Sequence, residues 1–396
     1  MHIYSQGSLQ AKKGYICIPA YNEKPFLELI NQLHRQLDKH AVLIFINAPE
    51  NSSEDVIIRN EQCFESLKNH MKGLEINGLI LMDNSIPSKK AGVGYARKTI
   101  MDKAAEFCKS ADQTWISGLD ADCLIETNYI SSIDTFFETN STIQGASIRF
   151  RHPIIGPSIE YYESHLRYLK LSLQWARYPF YYHTVGSSMV VRASIYSKIG
   201  GMNKKKAGED FYFLQKVMPH GYGEINETCV FPSPRISDRV PFGTGRAMGS
   251  MKHKNERIQP YPIESFHSLK TLMNHVNFMY KTPLGTAFSW PKNIEPNTKT
   301  YFEEKGFPSS WNSISKNSKT LESRNKKFLD QLSGNTVILF LNQERSRLAS
   351  KRELKVEIEN LFGLYKKNVP KNSNYLEELC QLELENSFSF LPKFST

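Results

Sequence analysis

Two aspartates that directly follow a short apolar segment are the first residues in this chain whose spacing indicates chemistry. Asp120 and Asp122 stand one residue apart after the run 114–119. Side chains alternate along a strand, so both carboxylates can lie on one side of the chain where a strand ends. A pair of carboxylates suits a hard divalent cation, and such a cation binds a diphosphate. The pair therefore predicts a site for a metal ion and a diphosphate.

A second acidic pair, Glu209 and Asp210, follows Gly208 at the predicted start of a helix. The helix dipole favours ionised carboxylates in a first turn. A carboxylate there acts as a general base only where a substrate hydroxyl lies beside it, because geometry matters before pKa. An ordinary acid in the first turn of a helix is the structural alternative for this pair.

A basic segment that contains two glycines, 86–98, precedes the aspartates. Its predicted helix would begin with free backbone N–H groups, and Lys89, Lys90 and Arg97 are nearby, so the segment suits an anion. The G-K-[ST] ending of a P-loop is missing from the sequence. Gly92 and Gly94 therefore keep a second interpretation as ordinary turn glycines.

Apolar strands alternate with amphipathic helices over the first 250 residues. The expected strands are 15–19, 41–46, 79–82, 114–119, 143–150, 186–192 and 223–231. This alternation predicts an α/β fold with a mostly parallel, doubly wound sheet flanked by helices. Ligands of such sheets bind beyond the carboxyl ends of the strands, which is where Asp120 and Asp122 fall.

After residue 250 the sequence changes to charge-rich amphipathic helices, expected over 265–280, 319–332 and 343–365. We therefore expect three regions, listed here: a polar lead over 1–13, an α/β domain over 14–250 and a helical C-terminal extension over 251–396. The aromatic segment 178–183 suits either a packed core or a sugar-stacking surface.

Composition narrows the class of protein. The 396 residues carry a formal net charge of +10, which favours anionic ligands or surfaces but selects none of them. The six cysteines form no C-x-x-C pair, which is typical of a reducing compartment. The first 13 residues are polar, and no apolar run reaches the length of a membrane span, so we expect a cytoplasmic protein.

Taken in order, the motifs resemble those of a family 2 glycosyltransferase, which has the GT-A fold. The resemblance covers residues 14 to 245 and rests on four stretches: Ile18-Pro19-Ala20-Tyr21-Asn22-Glu23, Asp120-Ala121-Asp122, Gly186-Ser187-Ser188-Met189 with Gly200-Gly201-Met202, and Gly208-Glu209-Asp210-Phe211.

The resemblance implies roles for individual residues. Those implied to contact the donor nucleotide are Pro19, Ala20, Tyr21, Glu23, Lys90, Arg97 and Asp120. Asp122, with Asp120, would hold Mn²⁺ or Mg²⁺ at the donor diphosphate. Asp210 would be the catalytic base, with Glu209 beside it. The loop 235–246 would close over the diphosphate and exclude water.

The sequence departs from the family pattern at two places. The second strand ends in Ile46-Asn47-Ala48 rather than in paired aspartates, so the nucleotide base is not specified. The Q-x-x-R-W stretch of processive polysaccharide synthases is missing, which favours a non-processive enzyme. His152, His183 and His220 are unranked candidates for a third metal ligand, and a structural role is the favoured interpretation of each.

The expected function is metal-dependent transfer of a sugar from a nucleotide-diphosphate donor to a hydroxyl of a saccharide or lipid-linked acceptor, with inversion. The alternatives are a retaining GT-A transferase resembling mannosylglycerate synthases and an inactive scaffold that binds a nucleotide or a protein. A sugar-phosphate nucleotidyltransferase is disfavoured, because its basic glycine-rich loop is missing before Tyr15. We expect no nucleic-acid partner, and peripheral contact of the basic helices with an anionic membrane is a further hypothesis.

Overall fold

The computed structural model describes residues 1–108, 110–235, 244–253, 257–348, 352–369 and 373–387. The chain groups into two compact units. Met1–Ile159 and Thr184–Asn255 form the first, which we call the sheet unit. Glu160–His183 and Glu256–Thr396 form the second, which we call the helical unit.

The strands of the described chain all lie in the sheet unit and form one nine-stranded sheet. They are β1 (His2–Gln6), β2 (Gly14–Ala20), β3 (His40–Pro49), β4 (Gly78–Ile86), β5 (Trp115–Gly118), β6 (Leu124–Ile125), β7 (Gly145–Phe150), β8 (Met189–Arg192) and β9 (Tyr222–Phe231). Their order across the sheet is β1-β4-β3-β2-β5-β8-β7-β9-β6.

The helices occur in both units. They are α1 (Leu27–His34), α2 (Glu54–Gly73), α3 (Val93–Phe107), α4 (Tyr129–Thr139), α5 (Pro157–Trp175), α6 (Ala193–Lys198), α7 (Glu209–Val217), α8 (Thr244–His253), α9 (Ile263–Met279), α10 (Pro296–Glu304), α11 (Phe307–Asn317), α12 (Leu321–Leu329), α13 (Gly334–Arg347), α14 (Leu354–Leu364) and α15 (Tyr375–Glu385). The helical unit contains most of α5 together with α9 to α15.

The sheet is mostly parallel. β2, β3, β4, β5, β7 and β9 run in one direction, while β1, β6 and β8 run in the other. β3 is buried over nearly its whole length, because helices cover both faces of a sheet of this kind. α3 packs on β2 and β3, and α2 packs on β3 and β4. The structure thus confirms the predicted α/β class, with helices flanking the sheet and a helical C-terminal region.

The amino-terminal segment adds a strand for which the sequence gives little signal. His2–Gln6 forms β1, which pairs antiparallel with β4 at one edge of the sheet. Most of its side chains are exposed, so the apolar alternation that marks a half-buried strand is missing. Backbone pairing with β4 therefore defines this strand rather than side-chain burial.

The helical unit has an aromatic core of its own. Phe307 and Trp311 both pack against Phe328, with ring centroids 4.6 Å and 4.9 Å apart. The aromatic segment 178–183 is also largely buried, which supports its interpretation as core. No helix among the described residues combines the length and the apolar character that crossing a bilayer requires.

The single helix expected over 343–365 is wrong, because α13 ends at Arg347 and α14 begins at Leu354. Each helix buries one of its faces. The buried face of α13 includes Glu344, and the buried face of α14 includes Leu354. Over those ten positions a continuous helix would rotate its buried face by about 280°. A break in the helix allows both faces to be buried.

Candidate active site

Asp120 and Asp122 lie just beyond the carboxyl end of β5, as the sequence predicts. β5 pairs with β2 up to Cys17 and Gly118, so the end of β2, with Pro19 and Ala20, reaches the same edge. The backbone N–H of Leu119 donates to the Cys17 carbonyl (3.1 Å) and continues this pairing. The side chains of Asp120 and Asp122 are 37% and 24% exposed, so solutes can reach both.

Arg97 connects the two acidic pairs. Its side chain comes from α3 and is buried. The Nε–H donates to Oε1 of Glu209 (3.1 Å), and one terminal nitrogen donates to Oδ1 of Asp120 (2.6 Å). The other terminal nitrogen donates to the carbonyl of Gly186 (2.5 Å). One guanidinium thereby fixes the end of β5, the start of α7 and the loop before β8.

Two glycines make room for Arg97. A methyl group in place of the Gly186 hydrogen would lie 2.7 Å from the guanidinium carbon. A methyl group at Gly118 would lie 2.6 Å from the Gly186 carbonyl oxygen and 3.4 Å from a guanidinium nitrogen. Any larger residue at either position would therefore displace the guanidinium or the loop that it holds. The close packing of Arg97 against this backbone therefore depends on glycine at positions 118 and 186.

The start of α7 positions the second acidic pair. Gly208 has φ +67°, a left-handed conformation that glycine adopts without strain. In the first turn, Asp210 accepts hydrogen bonds from the backbone N–H of Gly186 (3.0 Å) and of Phe211 (2.7 Å). Glu209 is buried against Arg97, while Asp210 remains partly exposed. Of the two carboxylates, Asp210 is thus the one that a substrate can reach.

Arg235 is the site residue that the sequence reasoning missed, apart from naming it as one end of a closing loop. It holds Glu23 through both carboxylate oxygens, one of them at 2.7 Å. Its Nε also lies 2.8 Å from Oδ2 of Asp122. Arg235 therefore joins the loop after β2 to the aspartates after β5. Residues 236–243 of the predicted closing loop lie outside the described residues.

The site carries more negative than positive charge. It contains two guanidiniums, from Arg97 and Arg235, and five carboxylates, which belong to Glu23, Asp120, Asp122, Glu209 and Asp210. Burial, helped by the charge of Asp120, raises the pKa of Asp122 to about 6, and Arg235 opposes that rise. Such an excess of buried negative charge favours a cation as a further ligand.

The second acidic pair has perturbed pKa values as well. Burial raises the pKa of both Glu209 and Asp210, and the guanidinium of Arg97 opposes that rise in each. Buried carboxylates with raised pKa values in an accessible site are common at catalytic centres. A base whose pKa lies closer to neutrality also accepts a proton more readily from a hydroxyl.

Hydrogen bonds with two asparagine side chains fix the loop after β2. Asn47 is buried and donates to the carbonyl of Ala20 (2.9 Å). Asn60 accepts from the backbone N–H of Asn22 (3.1 Å) and donates to the carbonyl of Asn47 (3.2 Å). Asn47 lies near the end of β3, within one of the two stretches where the sequence departs from the pattern that it resembles. Here its side chain fixes the loop that presents Tyr21 and Glu23.

No contact among the described residues joins Lys90 to the five carboxylates of the site. It is exposed, in a turn where its backbone N–H donates to the Pro87 carbonyl (2.7 Å). The candidate histidines are dispersed: His183 lies 2.9 Å from Glu383 in the helical unit, and His152 packs edge-on against Phe150. Sequence spacing had no means of ranking them.

The residues present fit a divalent ion that a substrate helps to coordinate. Among the described residues no group of three or more His, Cys, Asp or Glu side chains forms a complete metal site. Mg²⁺ and similar ions are commonly held by only one or two carboxylates together with substrate phosphates. Asp120 and Asp122 supply such a pair, and burial raises the pKa of Asp122 to about 6 even with Arg235 beside it, so a further cation would favour the ionised form.

Comparison with known proteins adds a distant structural neighbour. No protein-family model matches the chain, and no curated protein matches it. Among solved structures it is similar to the mannosyltransferase PcManGT from Pyrobaculum calidifontis, solved in complex with GDP-Man and Mn²⁺. The TM-score is 0.40 at 12% identity, over 94% of this chain and 87% of that one. A similarity at this level does not establish function, which has to be argued from the geometry of the site.

Proposed function

We propose that the protein is a metal-dependent, non-processive glycosyltransferase that moves a sugar from a nucleotide-diphosphate donor to an acceptor hydroxyl with inversion. The observation that carries the proposal is the buried contact of Arg97 with both Asp120 and Glu209. This contact supports the proposal because it joins two carboxylate pairs, one with the chemistry to bind a metal and a diphosphate and one with the chemistry to accept a proton.

The donor side of the site comprises Asp120 and Asp122, with Glu23 and Arg235 next to them. Asp122, with Asp120, would hold Mn²⁺ or Mg²⁺. When bound, such an ion neutralises negative charge on the leaving diphosphate. Arg235 would contribute a second positive charge on the same side, because its guanidinium already bonds Asp122. Pro19, Ala20 and Tyr21 would contact the nucleotide.

The acceptor side is built on Asp210. The acceptor oxygen attacks the anomeric carbon, and the bond from that carbon to the diphosphate oxygen breaks. The hydroxyl proton passes to the Asp210 carboxylate, and the nucleoside diphosphate leaves with the bonding electrons. Hydrogen bonds from Gly186 and Phe211 hold the carboxylate in one orientation, so little reorganisation is needed during the transfer. Glu209 would keep Arg97 in place without contacting the substrate.

A donor screen tests this proposal without knowledge of the acceptor. UDP-, GDP- and dTDP-sugars would be added with and without Mn²⁺, and thermal unfolding followed by fluorescence. A donor at about 100 times its dissociation constant adds roughly 2.7 kcal/mol to the free energy of unfolding. We expect one donor class to stabilise the protein only when metal is present.

Three variants make the screen specific. Asp122→Asn should abolish the metal-dependent stabilisation, whereas Asp210→Asn should keep it and lose turnover by about 10²- to 10⁴-fold. Asp55→Asn, at an exposed position in α2, is the matched control. If no donor stabilises the wild-type protein with metal, the glycosyltransferase proposal is wrong. If turnover survives in Asp210→Asn, Asp210 is not the base. NMR of the anomeric configuration of the product tests inversion.

A further inference from the structure

A patch of lysines lies in two segments, one of which leads directly into the helix of the proposed base. Lys204, Lys205 and Lys206 are exposed in the loop that leads into α7, and Lys89 and Lys90 are exposed in the turn before α3. The two segments touch, because Nζ of Lys206 donates to the carbonyl of Ser88 (3.1 Å). We call these five side chains the lysine patch.

Neutral groups hold the lysines of the loop. Nζ of Lys205 lies 3.1 Å from the ring centroid of Tyr212, and Nζ of Lys204 lies 5.8 Å from that of Tyr95. Lys206 bonds a backbone carbonyl. Cation–π and carbonyl contacts orient an ammonium group without cancelling its charge.

The patch lysines differ from other lysines of the described chain in their ionic partners. Among the described residues none of the five lysines forms an ion pair, although several other lysines of the chain do. Glu50 lies near the patch, where it accepts from the backbone N–H of Ser88 (3.1 Å), and Glu209 and Asp210 begin the helix that follows the loop. The charges of the five lysines are therefore not offset by an ion pair among the described residues. A surface of this kind attracts anions, and phosphate groups in particular.

The backbone of the loop is fixed against the catalytic elements. A methyl group at Gly94 would lie 2.2 Å from the Lys205 carbonyl oxygen and 3.0 Å from Cβ of Glu209. The side chain of Asn203 donates to the Glu209 carbonyl (2.8 Å) and accepts from the backbone N–H of Lys205 (3.0 Å). The loop that carries Lys204, Lys205 and Lys206 is thus held against the start of α7, the helix that carries Asp210.

We propose that the lysine patch binds a phosphate group of the acceptor, so that the acceptor is a phosphorylated or phosphate-linked molecule. This inference rests on the proposed function, because Asp210 identifies the acceptor side. It assigns Lys90 to the acceptor, whereas the family resemblance implies a contact with the donor. The experiment has to separate these two ligands.

Titration calorimetry with inorganic pyrophosphate in metal-free buffer is the direct test. The patch variant is Lys204→Gln with Lys205→Gln and Lys206→Gln. The control variant removes the same charge from exposed lysines of the helical unit, with Lys319→Gln, Lys326→Gln and Lys327→Gln. We expect the patch variant to bind pyrophosphate about tenfold more weakly than wild type, a loss of ~1.4 kcal/mol, and the control to bind like wild type.

A second arm measures binding of the stabilising nucleoside diphosphate with Mn²⁺. Equal affinity in wild type and in the patch variant supports an acceptor site. A parallel loss of nucleotide and pyrophosphate binding assigns the patch to the donor and overturns the proposal. Equal pyrophosphate affinity in all three proteins also overturns it. If wild type binds no nucleotide, the proposed function and the acceptor assignment both fail, while the pyrophosphate arm still decides whether the patch binds phosphate.

Sedimentation with phosphatidylglycerol vesicles separates the sources of the phosphate. Binding of wild type but not of the patch variant, together with pyrophosphate binding, indicates a lipid-linked acceptor. Pyrophosphate binding without vesicle binding indicates a soluble one. Vesicle binding without pyrophosphate binding contradicts the proposal, because it would show diffuse attraction to a charged surface rather than a phosphate site.

Discussion

The two units each contain a cluster of charged side chains, and the two clusters differ in the balance of positive and negative charge. In the sheet unit, Arg97 and Arg235 face five carboxylates, and burial raises the pKa of Asp122. In the helical unit, Arg167 pairs with Glu163 (2.7 Å) and with Glu383, which also faces Lys170 and His183. We call this second group the Glu383 cluster.

The pKa of the central acid separates the two clusters. Burial alone would raise the pKa of Glu383, but Lys170, Arg167 and His183 together hold it well below its usual range. The surroundings of Glu383 therefore favour its ionised form, whereas those of Asp122 disfavour it. A cluster that satisfies its charges internally has a structural role, and one that leaves negative charge in excess is set up to bind something positive. The difference supports function in the sheet unit and anchoring of α15 on α5 in the helical unit.

The largest expected effect breaks the balanced cluster. Glu383→Gln should lower the free energy of unfolding by about 3–5 kcal/mol, because Arg167 and Lys170 would be left buried without their shared anion. Glu378→Gln, on the same helix and without a described partner, should change it little. Urea denaturation of both variants measures the difference. Similar small losses for the two variants would show that the cluster does not anchor α15.

A somewhat smaller effect is expected for the residue that joins the acidic pairs. Arg97→Lys keeps the charge but cannot bond Glu209, Asp120 and the Gly186 carbonyl at once. We expect a loss of about 2–3 kcal/mol in unfolding free energy, together with weaker metal-dependent donor stabilisation. Lys98→Arg, one position along α3, is the control. If Arg97→Lys lost stability but bound donor with full affinity, Arg97 would have a structural role only.

Part of this site was predictable from sequence and part was not. Asp120, Asp122 and Asp210 could be proposed as candidates because they fall at the ends of predicted elements in a familiar order. The contacts of Arg97 were not, since a basic residue in an amphipathic helix is usually solvated. Gly186 and Gly118 were the available signal, because glycine in or beside a strand often marks a close approach of other atoms.

The pairings within the Glu383 cluster could not be predicted from the sequence. Glu383 and Arg167 are 216 positions apart, so no local periodicity links them. Nor does any spacing rule indicate that residues 160–183 group with the C-terminal helices. Such pairings arise from tertiary packing, which overrides what a window of sequence can report. Arg235 was missed for the same reason, as its partners lie on two other loops.

The opposite sign of effect is expected in the acidic site. Asp122→Asn removes one of the excess negative charges, so the metal-free protein should gain about 1 kcal/mol in unfolding free energy. If the metal-free protein becomes more stable when this proposed metal ligand is removed, Asp122 serves metal binding rather than the stability of the fold. Denaturation in the presence of a chelator measures it. A clear loss of stability in Asp122→Asn would mean that Asp122 serves mainly as a structural partner of Arg235.

The pH dependence of stability distinguishes the clusters by the direction of its slope. Asp122 has an ordinary pKa of 3.8 when unfolded and about 6 when folded, so the folded protein binds more protons between these values. Its contribution to stability therefore falls as pH rises from about 4 to about 6.

The lowered pKa of Glu383 has the opposite effect on stability. The stabilisation from Glu383 is complete above its ordinary pKa of 4.5 and is lost as pH falls below that value. Urea denaturation in chelator at several pH values should show wild type losing stability relative to Asp122→Asn as pH rises. Wild type should lose stability relative to Glu383→Gln as pH falls. Parallel slopes for the two variants would show that the two clusters have the same charge balance.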